Sequence, residues 1–243
     1  MDQLRDYADA RLVSGCIYCG GPETTREHAP SKVLLDSPYP ENLPVVAACR
    51  PCNNGFSSDE EYLACLIEAV IVGTTTPDKI ERPSIAKLLA RSPALLARIE
   101  KSRYESEGRT YFSIEEDRVK NVALKLARGH AVFELSQLCS EEAKSFWCAP
   151  LELLSEEARE TFDSAYVTQM LGEVGSRGMQ RQYVVQLPLQ NSDGNSSALG
   201  FIATDWVDVQ EGRYRYLAIH EVEEVCVRIV IREYLACEVV WSQ

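Results

Sequence analysis

Two Cys-x2-Cys pairs, Cys16/Cys19 and Cys49/Cys52, constrain this 243-residue chain more than any other feature in it. They bracket most of a stretch, 12–56, that is rich in Cys, Pro, Gly and Asn and shows little helical or strand periodicity. Such a stretch cannot build a hydrophobic core alone and needs a staple. Four thiolates in two knuckles suit a tetrahedral Zn2+. Each pair curls so that both sulfurs point at one ion, and Gly20 and Gly21 permit the tight turn. Such a zinc is structural, because four thiolates leave no open position for water. A redox pair is the alternative for one Cys-x2-Cys, but it calls for a thioredoxin-like βαβ setting, and two pairs would be unusual. The odd total of nine cysteines argues against a closed disulfide framework. The other five, Cys65, Cys139, Cys148, Cys226 and Cys237, sit among apolar neighbours and read as small buried hydrophobes.

Periodicity takes over after the second knuckle. In SSDEEYLACLIEAVIVG, Leu63, Leu66, Ile67 and Val70 repeat at helical spacing. Ser58 and Glu61 have the spacing of a capping box, and Gly73 marks the stop. Residues 84–103 read as two short helices, the first capped by Ser84 and the second by Ser92 before Pro93. A strand over TYFSI and a helix over VKNVALKLARGHAVFE, interrupted at Gly129, follow, then an amphipathic helix over 155–172. Beyond Gly178 the chain turns rich in β-branched and aromatic residues separated by loops such as NSDGNSS, which predicts an antiparallel sheet of four or five strands. Tyr214, Tyr216, Trp206 and Trp241 read as core or edge aromatics, and His130 and His220 as structural histidines.

Between the knuckles lie TTREHAPSKVLL and PENLPVVAAC, and Asn53-Asn54-Gly55 follows the second. The order Cys-x2-Cys, Glu27-His28, Asn42-Leu43, Cys-x2-Cys-Asn53 resembles the HNH endonuclease family in its zinc-containing, treble-clef form. The resemblance covers residues 12–62 and implies a ββα-metal module that holds one catalytic divalent ion. It implies that Glu27 ligates the ion, that His28 is the general base and that Asn42 orients the imidazole. It places a second metal ligand at Asn53 or its neighbour Asn54. Glu stands where Asp is commoner in the family, and Asn where the third residue is often His. The chemistry is coherent in its own right. A neutral imidazole takes a proton from water, an Asn carbonyl fixes its tautomer, and oxygen ligands suit Mg2+ or Mn2+. Standalone proteins of this kind are often components of restriction or anti-phage defence. The other reading is a non-catalytic zinc treble-clef module that binds nucleic acid or a protein partner.

The net charge of −12 has the wrong sign for a protein that coats nucleic acid, but the charge is uneven. Residues 131–243 carry most of the acidic excess, whereas 79–103 hold seven basic and two acidic side chains. Lys87, Arg91, Arg98, Lys101 and Arg103 are therefore the candidates for phosphate contact with DNA, and the acidic C-terminal half suits a protein partner. No apolar run reaches the roughly eighteen residues of a membrane span. The N-terminus is acidic and lacks an apolar core, so a cytoplasmic protein is expected. The expectation is an α+β chain in three parts: a nuclease module over 1–75, a mainly helical segment over 76–175, and a β region over 176–243. Metal analysis of purified protein should find one zinc per chain. Cys16→Ser or Cys49→Ser should lose it and unfold the N-terminal module, seen as loss of the metal and exposure of that segment to protease.

Overall fold

The computed structural model describes residues 4–8, 11, 13–190 and 196–243. The first knuckle leads into strand β1 (Thr25–His28), which pairs antiparallel with β2 (Val45–Ala48) in the register Glu27↔Val46 and His28↔Val45. Cys49 is the N-cap of helix α1 (Arg50–Gly55), which has Pro51 in its first turn, where a missing N–H costs nothing. Helix α2 (Ser57–Val72) follows at once and ends on Gly73 with φ 69°, as its sequence anticipates. It starts earlier than the capping-box spacing implies. Phe56 is its N-cap, with no side-chain cap, and the Ser58 hydroxyl turns to the Asp59 carboxylate.

Helices α3 (Pro83–Arg91) and α4 (Pro93–Ser102) form the expected pair, both opened by proline. Arg82 rather than Ser84 is the cap of the first. Its buried guanidinium bonds the Asp36 carboxylate at 2.7 Å and the Val33 and Leu35 carbonyls. Strands β3 (Arg103–Ser106) and β4 (Arg109–Phe112) make a hairpin whose two-residue turn, Glu107-Gly108, has positive φ at both positions. Helix α5 (Glu116–Leu135) runs unbroken through Gly129, against the expected interruption. The glycine is there for space. A Cβ on it would lie 2.7 Å from Ala29 Cβ, so it lets α5 approach the end of β1.

The segment 155–172 is only partly helical. Strand β5 (Ser145–Pro150) precedes it, α6 (Glu156–Asp163) occupies its first half with a true Ser155 cap, and β6 (Tyr166–Thr168) follows. After the short α7 (Arg177–Arg181) come β7 (Tyr183–Gln190), β8 (Ser196–Thr204), β9 (Val207–Gln210), β10 (Tyr214–His220), β11 (Glu224–Ile231) and β12 (Leu235–Ser242). They form two antiparallel sheets rather than one. A five-stranded sheet has the order β5-β12-β11-β10-β9, and a three-stranded sheet has the order β6-β8-β7. Thus β5, from the 76–175 stretch expected to be mainly helical, forms an edge of the larger sheet. One core cluster joins Leu34, Leu35 and Leu43 of the β1–β2 connection, α2, α3, α5 and the inward side chains of β9–β12. Among the described residues, no helix is long and apolar enough to cross a membrane.

Helix α5 lies between the hairpin and the larger sheet. On the sheet side His130 is fully buried, stacked on Tyr216 at 3.7 Å between ring centres, with Nε2 2.7 Å from the Tyr214 hydroxyl. The Tyr216 hydroxyl donates to Glu134, whose other oxygen accepts from Arg181 at 2.9 Å. Burial, helped by the charge of Lys125, pushes His130 down to about 3. The native state therefore keeps His130 neutral where the unfolded chain takes up a proton, below about pH 6.5. Its contribution is complete above that value and is lost as pH falls through it towards about 3. Urea unfolding from about pH 7 to about pH 5 should show a steeper loss of stability in the wild type than in His130→Asn. The excess should approach about 1.4 kcal/mol per pH unit, and parallel curves would contradict the assignment.

Candidate metal centre and the Glu27–His28 site

The four knuckle sulfurs converge. Cys16, Cys19, Cys49 and Cys52 Sγ all lie within 4.8 Å of one another, and Cys19 Sγ is 3.7 Å from Cys49 Sγ. A tetrahedron with Zn–S bonds of about 2.3 Å has edges of about 3.8 Å, so the cluster fits zinc. Local hydrogen bonds shape it. Cys16 N–H donates to the Gly21 carbonyl at 2.7 Å, Gly20 N–H donates back to the Cys16 carbonyl at 2.8 Å, and Gly20 holds φ 71°. On Gly15, at φ 77°, a Cβ would come within 2.8 Å of the Gly21 carbonyl oxygen. Burial pushes the Cys16 thiol up. Hydrogen bonding with the Cys49, Tyr18 and Cys19 backbone outweighs this and brings it down to about 7, whereas burial and the neighbouring thiols push Cys52 well up and Cys19 is raised as well, so the proton shared in the metal-free cluster is drawn off Cys16 first. Of the other cysteines, Cys65, Cys139 and Cys237 are buried, and Cys148 and Cys226 are half-buried.

The hairpin carries Glu27 and His28 at the end of β1, and α1 brings Asn53 alongside. Asn53 Nδ2 donates to the Arg26 carbonyl at 3.0 Å, tying the helix to the strand one residue before Glu27. Asn54 is exposed, and its carbonyl accepts from the Ser57 hydroxyl at 2.8 Å. Asn42 is half-buried in the connection just before β2. Burial lowers the His28 pKa, as do the charges of Lys32 and Lys125, and hydrogen bonding with Pro44 partly opposes this. Nδ1 of His28 is buried and lacks a hydrogen-bond partner.

Glu27 is 7% exposed and does not stand alone. Lys125 of α5, buried like its partners, places Nζ 2.9 Å from Glu27 Oε1 and also bonds the Ser31 hydroxyl and Glu60 Oε1; Ser31 in turn donates to Glu60. Burial raises the Glu27 pKa against the attraction of Lys125. Its second oxygen, Oε2, is buried without a partner. Glu27 Oε2 and the Asn53 amide oxygen are donors of the kind hard divalent cations take, while Lys125 adds a positive charge to the same place. Glu60, Ser31 and Lys125 were not among the sequence candidates. The available signal was Lys125 falling three residues after Val122 and one before Leu126, inside the apolar stripe of α5.

None of the five basic candidates bonds Glu27, Ser31, Glu60 or Lys125, which bond one another. Lys87, Arg91, Arg98 and Lys101 are exposed on α3 and α4, and Arg103 is half-buried. Arg91 is 3.8 Å from Glu61, Arg98 is 3.3 Å from Glu115, and Arg103 lies between Glu100 and Glu105, so three of the five face acidic neighbours. An apolar cleft of about 590 Å3 opens between α2, the β3–β4 hairpin and β5, and none of Glu27, His28, Asn42 and Asn53 lines it. Comparison with models of protein families, with curated proteins and with solved structures gave no match.

The close approach of α5 to the hairpin predicts the sign of a mutation. Gly129→Ala would gain about 1 kcal/mol of helix propensity. It also forces two Cβ atoms to 2.7 Å, and Ala29 Cβ has no torsion by which to withdraw. Overpacking costs about 1–3 kcal/mol, so the clash outweighs the propensity. Gly129→Ala should lower the melting temperature, and adding Ala29→Gly should restore it; a stabilised single mutant would show that the helix has room.

Proposed function

We propose that the chain is a metal-dependent endonuclease of the HNH type that hydrolyses phosphodiester bonds in DNA. The observation that carries the reading is the Glu27–His28 pair at the end of β1. It stands on a hairpin followed by a helix, with the four cysteines at the hairpin's foot and an unpartnered buried atom on each of the two side chains. In this reading the module is a treble clef stapled by structural zinc. His28 is the general base. Its lowered pKa keeps the imidazole neutral and able to take a proton from the attacking water. Asn42 orients that ring. Glu27 offers Oε2, and Asn53, its amide nitrogen committed to the Arg26 carbonyl, offers its oxygen to a divalent ion. Bound Mg2+ or Mn2+ would supply Lewis-acid polarisation of the phosphate and neutralise charge on the leaving oxygen.

Lys87 and Lys101 lead the candidates for phosphate contact, since Arg91, Arg98 and Arg103 have acidic neighbours. The acidic C-terminal half suits a protein partner better than a polyanion. The exposed Val184, Leu187 and Leu189 of β7, an edge strand, agree with that. The second reading is a non-catalytic zinc module that binds nucleic acid or protein. It is favoured by one observation, the Lys125 ammonium already seated on Glu27.

A plasmid-nicking assay separates the two readings. Nicking should need added Mg2+ or Mn2+, stop with EDTA and return with excess ion. His28→Ala should lower it about 10²–10⁴-fold, the usual contribution of a general base, with zinc content and circular dichroism unchanged. Nicking that survives His28→Ala removes the base assignment, and no nicking under any metal favours the binding module.

A further inference from the structure

Lys125 is a cation held inside a cage of oxygens. Its ammonium has three N–H donors and meets three acceptors: Glu27 Oε1, Ser31 Oγ and Glu60 Oε1. No donor is left for water or phosphate, so the group acts as a charge rather than as an acid or a substrate ligand. Two carboxylates and a hydroxyl are also the hard oxygen donors that Mg2+ or Mn2+ prefers. We propose that Lys125 holds the cation position between Glu27 and Glu60 and so sets how tightly a divalent ion binds at Glu27. The inference rests on the reading of Glu27 as a metal ligand.

The remaining oxygen makes the role specific. Glu27 Oε2 is buried and unpartnered, so it is the atom available to an added ion. Such an ion sits one carboxylate away from a fixed positive charge. Its binding is weakened in free protein and recovers when a phosphate brings negative charge to the site. Lys125 thus couples metal binding to substrate binding. It is a positioning and selectivity residue, not a catalytic one.

The test is Mn2+ binding to the zinc-loaded full-length chain, read from the electron paramagnetic resonance signal of free Mn2+, in the absence of DNA. Lys125→Met removes the ammonium but leaves two buried carboxylates facing each other. The double variant Lys125→Met/Glu60→Gln removes one charge of each sign, so the cage keeps its net charge and the fold is spared. The double variant leaves Glu27 Oε1 and the Ser31 hydroxyl without the ammonium, as further oxygen donors beside Oε2, so it should bind one Mn2+ at least about tenfold more tightly than wild type. Adding Glu27→Gln should abolish that gain, and Lys125→Arg, which keeps the charge, should stay near wild type. Wild-type binding that depends on Glu27 but is unchanged or weaker in the double variant overturns the role of Lys125 and leaves the nuclease reading standing. Binding in the double variant alone supports Lys125 as the occupant, with metal binding in the native chain left to the negative charge that a substrate phosphate brings. Binding in neither overturns the role of Lys125, and absence of nicking under every metal then overturns the nuclease reading with it.

Discussion

An ammonium taken out of water must find oxygens to replace the water it loses, and in this chain that demand organises the Glu27–His28 end of the molecule. Lys125 is 1% exposed, and its partners come from three places: Glu27 on β1, Ser31 just beyond that strand, and Glu60 on α2. Burying an ion costs several kcal/mol unless its partners are in place, and removing one partner of a buried pair costs about 3–5 kcal/mol. The hairpin, α2 and α5 therefore cannot move independently without stranding a charge. Further contacts reinforce the same alignment. Arg118 and Asn121 of α5 bond Asp59 of α2 at 2.6 and 2.7 Å, and Gly129 lets α5 close onto Ala29.

The small N-terminal module is thus held twice, by different physics. The cysteine cluster brings its two knuckles within reach of one metal ion across the hairpin. That link fixes local geometry but supplies little apolar burial. The burial comes from elsewhere: Ile17 and Val46 pack on Val132 and Phe133 of α5. A cysteine cluster that could hold a structural metal and a borrowed helix complement each other, because a short irregular segment lacks the apolar area to order itself. On its far side α5 inserts a neutral histidine and Glu134 among the tyrosines of β10, so one helix serves both the hairpin and the sheet.

Charge is distributed in the same economical way. Many basic side chains are engaged internally. Arg82 and Arg232 meet in the buried carboxylate of Glu68, and Arg215 and Arg228 clamp α6 against the sheet. The positive charge left over for an outside polyanion is small for a chain of net charge −12, and the exposed lysines of α3 and α4 hold part of it.

The sequence alone determined what depends on short spacing. Two Cys-x2-Cys pairs can meet at one ion because each knuckle is local. Leu63, Leu66, Ile67 and Val70 repeat at helical spacing whatever surrounds them, and the β-branched C-terminus makes strands. The Glu27–His28 pair was legible for the same reason. Tertiary structure decided what depends on distant partners. Gly129, read as an interruption, is a contact surface, because only the neighbouring β1 end shows what the missing side chain makes room for. The last strands divide into two sheets, β5 pairing with β12 in one and β6 with β8 in the other, and both partners come from the 76–175 segment expected to be mainly helical. Lys125 lies 98 residues from the carboxylate it neutralises. Its place in an apolar stripe marks it as buried, but no spacing rule says with which acid a buried cation is paired, since that choice is made by packing.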